Sequence, residues 1–167
     1  MRALIIVDLQ NDFLPGGSLA VPHGDEVISV INDLQKECDI IIASKDWHPK
    51  GHISFNHWPP HCIQNTKGAE FPKTLNKERI EKVFFKAEEI DRDSYSAFEQ
   101  MEIYLRERGA TELWIVGLAL DYCVRKTALD AFKRGWKVAV ILKGCRGLDK
   151  TEEVIKELDE KGLLIDR

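Results

Sequence analysis

The sequence predicts an α/β fold, a three-layer sandwich in which a six-stranded parallel sheet lies between two layers of helices. Three observations carry this. Short apolar runs recur along the chain without the polar alternation of a half-exposed strand, as expected for strands buried on both faces. Between them lie segments with apolar residues at three- and four-residue spacing, the helical period. The two kinds of segment alternate, the pattern that gives parallel strands joined by crossover helices.

Residues 3–7 are the first apolar run. From Asp25, the residues Val27, Ile28, Val30, Ile31, Leu34 and Cys38 follow helical spacing. Residues 40–43 make a second strand, 83–85 a weaker third and 113–116 a clear fourth. Residues 121–134 read as a helix with Val124, Thr127, Ala128, Ala131 and Phe132 inward, stopped by Gly135 at the usual C-cap position. A fifth strand covers 138–142, an amphipathic helix 151–161 and a short sixth strand 163–165. There is no repeat, low-complexity tract or linker, so residues 1–167 read as one domain.

Residues 45–80 break the rhythm, holding four of the five histidines, two of the four tryptophans and four of the six prolines. A long irregular connection in a compact domain is usually functional or disordered. Trp47, Phe55 and Trp58 speak against disorder, so this segment is expected to build a site.

Composition narrows the possible functions. With 44% hydrophobic and 31% charged residues the chain can fill a core and cover it. The formal net charge of −4 provides no basic field, so neither nucleic acid nor a membrane is expected as a partner. The first apolar run is interrupted by Asp8 after five residues, too short for a signal peptide or a span; a cytoplasmic protein is expected. Four cysteines, at 38, 62, 123 and 145, include no C-x-x-C pair and should be free thiols in a reducing compartment.

Ligands of open parallel sheets bind beyond the carboxyl ends of the strands. Asp8 follows the first strand, Asp46 and His48 the second, Lys86 the third, and Cys123 lies just past the fourth. Cys123 falls near the start of a predicted helix, where free N–H groups and the helix dipole favour thiolate and can hold an oxyanion. The competing reading is a buried structural cysteine. Asp8 can take the thiol proton and later return it to a leaving amine, while Lys86 keeps the carboxylate ionised. Taken singly, they could equally be a turn aspartate and a solvated lysine. Asp46, His48 and His61 offer one carboxylate and two imidazoles, a set suited to Zn²⁺, Fe²⁺ or Mn²⁺. His52 is either a fourth ligand or a loop histidine bonded to backbone; His57 and His23 should be solvated.

Five segments in order along the chain carry a resemblance: IIVDLQNDFLPGGSLAV (5–21), SKDWHPKGHISF (44–55), WPPHCIQNTKGAEF (58–71), VFFKAEEIDRDSYSAFE (83–99) and GLALDYCVRKTALDAFKRGWKV (117–138). Together they resemble the nicotinamidase/pyrazinamidase branch of the isochorismatase-like cysteine hydrolases. The resemblance implies a Rossmann-like strand order, a catalytic triad of Asp8, Lys86 and Cys123, and metal ligands Asp46, His48 and His61, with His52 second in rank. It implies a cis peptide at Leu118–Ala119 that aims the Ala119 N–H, with that of Cys123, at the oxyanion. Phe13 and Trp58 should enclose a pyridine ring, with Tyr95, Leu118 and Tyr122 completing the substrate set. The implied reaction is hydrolysis of nicotinamide to nicotinate and ammonia through a cysteine thioester, with pyrazinamide as a further substrate. The implied cofactor is one divalent metal, zinc first, orienting the ring, in a monomer or homodimer. Leu120 departs from the Thr or Ser usual at its position, which removes a hydroxyl near the oxyanion turn. The rival readings are an amidase for a carbamoyl or ureido compound and a non-catalytic, metal-stabilised binding domain.

Overall fold

A run of five aliphatic residues can be buried on both sides only at the centre of a sheet, and there the chain puts its first strand. The computed structural model describes residues 1–166. Strand β1 (Arg2–Val7) leads through helix α1 (Val27–Leu34) to β2 (Ile40–Asp46), and a long connection follows to β3 (Lys82–Lys86). Helix α2 (Phe98–Glu107), β4 (Glu112–Leu118), α3 (Arg125–Lys133), β5 (Lys137–Arg146), α4 (Thr151–Glu160) and β6 (Leu164–Ile165) complete the order. All six strands are parallel, in the order β3-β2-β1-β4-β5-β6. Ala3 through Val7 are fully buried.

The chain winds outward from β1 in one direction to β3, then crosses back to wind the other way from β4. The switch point between β1 and β4 opens a crevice at their carboxyl ends. Right-handed crossovers put the helices of the two halves on opposite faces: α1 packs on β4 and β5, while α3 packs on β5 and against α2. Gly117 makes the switch point possible. A Cβ there would lie 2.1 Å from the Val7 carbonyl oxygen, and its φ of +122° suits glycine.

Four details differ from the expectations. Helix α2 was not anticipated. Phe98, Met101 and Leu105 form its buried stripe, but Ile103, 66% exposed, sits among them and blurs the period. Phe132, expected inward on α3, is 44% exposed. Helix α1 ends at Leu34, with a 3-10 turn over Gln35–Glu37, and Cys38 is already extended. The helix after β4 begins as a wide π turn, Leu120–Val124, before α3 proper. Gly135, at φ +83°, closes α3 as expected. Among the described residues, no helix is long and apolar enough to cross a membrane.

Candidate active site

Strand pairing decides which side chains meet. Asp46 and Lys86 are register partners at the ends of β2 and β3, so the Lys86 ammonium lies directly on Asp46 Oδ1. The same Nζ lies 2.9 Å from Asp8 Oδ2 and 3.4 Å from Cys123 Sγ, and donates to the Ser94 carbonyl at 3.2 Å. Ligand atoms of Asp8, Asp46 and Cys123 all fall within 4.8 Å of one another. Asp8, the first residue past β1, has φ +47° and donates its N–H to the Ser44 carbonyl. The Ser44 hydroxyl donates to Asp8 Oδ1 at 2.7 Å. Asp8 Oδ2, buried, keeps the lysine as ion partner but no aligned hydrogen bond.

Burial governs the electrostatics here. It raises the Asp8 carboxyl above its usual range, with Asp46 adding to the effect against the pull of Lys86 and Ser44. Burial also pushes the Cys123 thiol well up, opposed by Lys86 and reinforced by Asp8 and Asp46. Burial thus works against the preference for thiolate expected from the position of Cys123 in the turn. For Lys86, burial is outweighed by the two carboxylates, and the ammonium stays charged.

Beside this cluster, Asp46, His48 and His61 converge. His48 Nδ1 faces the His61 carbonyl at 2.9 Å, and His61 Nδ1 the Pro59 carbonyl at 2.8 Å. A carbonyl only accepts, so each Nδ1 holds the proton and each Nε2 is left with a free lone pair. Both Nε2 atoms lie 3.9 Å from an Asp46 oxygen. His48 Nε2 is fully buried with no hydrogen-bond partner, and burial lowers the His48 pKa, keeping the ring neutral. An orphaned buried imidazole nitrogen facing a carboxylate is what a divalent metal would satisfy; the residues fit one.

His52 stays outside this trio. Its ring stacks on His48 with centroids 4.3 Å apart. Its Nδ1 accepts from the Ser54 N–H, capping the turn Ile53–Asn56, and its Nε2 donates to the Arg92 carbonyl at 2.9 Å. With Asp93 and His48 it could also enclose an ion, at the cost of that carbonyl contact. His23 and His57 are exposed, as expected.

The cavity above has a volume of ≈ 30 Å³, room for one or two waters. Cys123, Ala119, Asp46, His48 and His61 line its floor; Phe13, Trp58, Tyr95 and Tyr122 stand around it as expected. The Trp58 indole N–H donates to the Tyr95 hydroxyl at 3.3 Å, and Trp58 meets Tyr122 edge-on at 5.1 Å. Leu118 does not line the cavity and needs correction. As the last residue of β4 it turns its side chain into the core, fully buried near Gly24. The Leu118–Ala119 peptide is cis.

Sequence reasoning missed several supporting residues. Gln10, fully buried, donates to the Asp46 and Ala69 carbonyls and accepts the Asp46 N–H, clamping the end of β2. Asp12 accepts the Cys62 N–H at 2.8 Å, next to His61. Leu19, Ser54, Asp93, Ser94 and Leu148 also line the cavity. The polar pair Asp8 and Gln10 closing an aliphatic strand was a usable signal for Gln10; nothing local marked Leu148.

Fold and cluster together define a doubly wound α/β protein with a sulfur, an acid and a lysine at its switch point beside a carboxylate–imidazole trio. Residues 2–160 match the Isochorismatase domain, and the chain belongs to that family. It is 42% identical to a nicotinamidase of Escherichia coli over 179 residues, covering 89% of this chain and 84% of that protein. Its structure resembles that of a pyrazinamidase of Pyrococcus horikoshii in complex with zinc, with a TM-score of 0.91, 39% identity and 99% of each chain covered. It also resembles PnC1 of L. infantum in complex with nicotinate: TM-score 0.94, 35% identity, 99% of this chain and 92% of the other.

Proposed function

We propose that the protein is a nicotinamidase, hydrolysing nicotinamide to nicotinate and ammonia through a thioester on Cys123, with residues 1–167 acting as one hydrolase domain. The observation that carries this is the meeting of Lys86 Nζ and the Asp8 carboxylate with Cys123 Sγ, which itself lines an aromatic-walled cavity. Relatives named nicotinamidase support it. A carbamoyl or ureido amidase has no use for that aromatic enclosure, and a purely structural metal domain has none for a buried Asp–Lys–Cys cluster.

Asp8 accepts the Cys123 proton, and Oδ2, which makes no aligned hydrogen bond, is the oxygen open to it. The sulfur attacks the carboxamide carbon and the carbonyl electrons move to oxygen, held by the Ala119 and Cys123 N–H groups. A donor of this kind is worth about 3 kcal/mol. The raised pKa of Asp8 suits it to hold the proton and pass it to nitrogen. The C–N bond breaks, ammonia leaves and a nicotinoyl thioester remains. Water, losing a proton to Asp8, attacks the thioester carbon; nicotinate departs and the sulfur is reprotonated. Lys86 keeps its charge throughout and holds Asp8 and Cys123 together.

Asp46, His48 and His61 would hold the metal, zinc before Fe²⁺ or Mn²⁺, with His52 behind His48 and available only if it leaves the Arg92 carbonyl. When bound, the ion supplies a Lewis acid that orients and polarises the ring nitrogen. Phe13, Trp58, Tyr95 and Tyr122 hold the ring. Pyrazinamide, with a ring nitrogen at the same position, fits the same arrangement. Four buried free thiols support the reading of a cytoplasmic protein.

The test is ammonia release from nicotinamide by zinc-loaded enzyme. Cys123→Ala should lower turnover about a thousandfold or more with zinc content unchanged. Substantial residual turnover would refute the covalent route.

A further inference from the structure

The stretch 147–150, between β5 and α4, reaches the cavity through the Leu148 side chain. Its backbone is held by a single carboxylate. Asp121, buried two residues before Cys123, accepts the N–H of Leu148 at 2.9 Å, of Asp149 at 2.9 Å and of Lys150 at 2.7 Å. Three donors on one buried carboxylate are charge-assisted bonds, stronger and shorter than neutral ones. The Tyr122 hydroxyl adds a second tie, donating to Asp149 Oδ1 at 2.7 Å. Gly147 is demanded by the same packing: a Cβ there would lie 2.1 Å from Thr151 Oγ1 and 3.1 Å from Asp121 Oδ1. The turn that presents the nucleophile therefore also dictates where Leu148 stands.

We propose that Leu148 sets the size of ring the site accepts, and that Asp121 is a positioning residue that fixes Leu148 in the wall. The proposal rests on the amide-hydrolase reading above. Leu148 lines the cavity directly, and its backbone is borne by a carboxylate of the nucleophile's own turn. Trimming Leu148 enlarges the cavity without altering sulfur, acid or metal ligands. One methylene in such a pocket changes discrimination roughly tenfold or more.

Wild type, Leu148→Ala, Leu148→Met and Asp121→Asn should be assayed with nicotinamide and its two-ring analogue quinoline-3-carboxamide. In Leu148→Ala the ratio of kcat/KM, two-ring over one-ring, should rise about tenfold, chiefly through KM. Leu148→Met, which conserves volume, should keep the wild-type ratio. Asp121→Asn should shift the ratio the same way. Hydrogen exchange at the amides of 148–150 should quicken about tenfold, because one acceptor oxygen becomes a donor. Equal losses on both substrates in Leu148→Ala would overturn the size-setting role, and wild-type exchange in Asp121→Asn the positioning role. If wild type releases no ammonia from nicotinamide, the parent reading fails instead. Calorimetric binding of nicotinate and quinoline-3-carboxylate to the same variants, with the exchange data, then decides this proposal by itself.

Discussion

Asp8 illustrates how a single side chain is prepared by its neighbours. Ser44 occupies one oxygen and Lys86 pairs with the other, so the carboxylate has one orientation and one face for a proton. Asp8→Asn keeps the shape and removes the basicity. Turnover should fall on the order of 10²–10⁴-fold, the usual worth of a general acid–base, while zinc binding by titration calorimetry stays near wild type. Loss of zinc binding instead would mean that Asp8 is part of the metal site. Gln10 acts on the metal side. Gln10→Ala strands the buried N–H and carbonyl of Asp46, a penalty of about 1–3 kcal/mol for each group. Zinc affinity should weaken about 10–100-fold, as when partners behind metal ligands are lost; an unchanged affinity would show that β2 holds Asp46 unaided.

At the scale of elements, α2 shows how a helix is fastened to the sheet edge. Phe98 is fully buried, and Phe98→Ala should cost about 3–5 kcal/mol in denaturant unfolding. Its other end is held by charge. Arg108, just past α2, and Tyr104 both bond Glu81 at the start of the β3 segment. The Glu81 carboxyl is held below its usual value, chiefly by the Arg108 hydrogen bond. A depressed carboxyl pKa contributes stability above the unfolded value, here 4.5, and loses it as pH falls through the folded value. On a half-exposed surface this amounts to less than about 1 kcal/mol. Glu81→Gln should therefore lower stability slightly at neutral pH and flatten its decline below about pH 4.5; a decline as steep as wild type would exclude this ion pair as a source.

For the whole molecule, the buried cluster of Asp8, Asp46 and Lys86 carries two negative charges against one positive. A divalent cation offsets the excess and leaves capacity for a thiolate. The sheet core is independent of that ion, so chelation should leave the fold intact while turnover falls. Zinc at about a hundred times its Kd should add about 2.7 kcal/mol to stability, seen as a higher melting temperature, and His61→Ala should abolish that rise. A chelated protein that unfolds would point to a structural metal instead.

Sequence alone determined what depends on local pattern. Buried aliphatic runs and helical spacing placed the six strands and three of the four helices, and a chemically capable residue just past each run placed Asp8, Asp46, Lys86 and Cys123 on one edge. Helix α2 was lost because Ile103 interrupts its polar face. What only the tertiary structure decided depends on register and return paths: that Asp46 and Lys86 are cross-strand partners, that His61 comes back to His48, and that His52 spends both nitrogens on the protein. It also decided that Leu118 points inward and that Asp121 carries Leu148. The upward push that burial gives the Cys123 thiol belongs with these, because desolvation is a property of everything packed around a group and no sequence neighbour reports it.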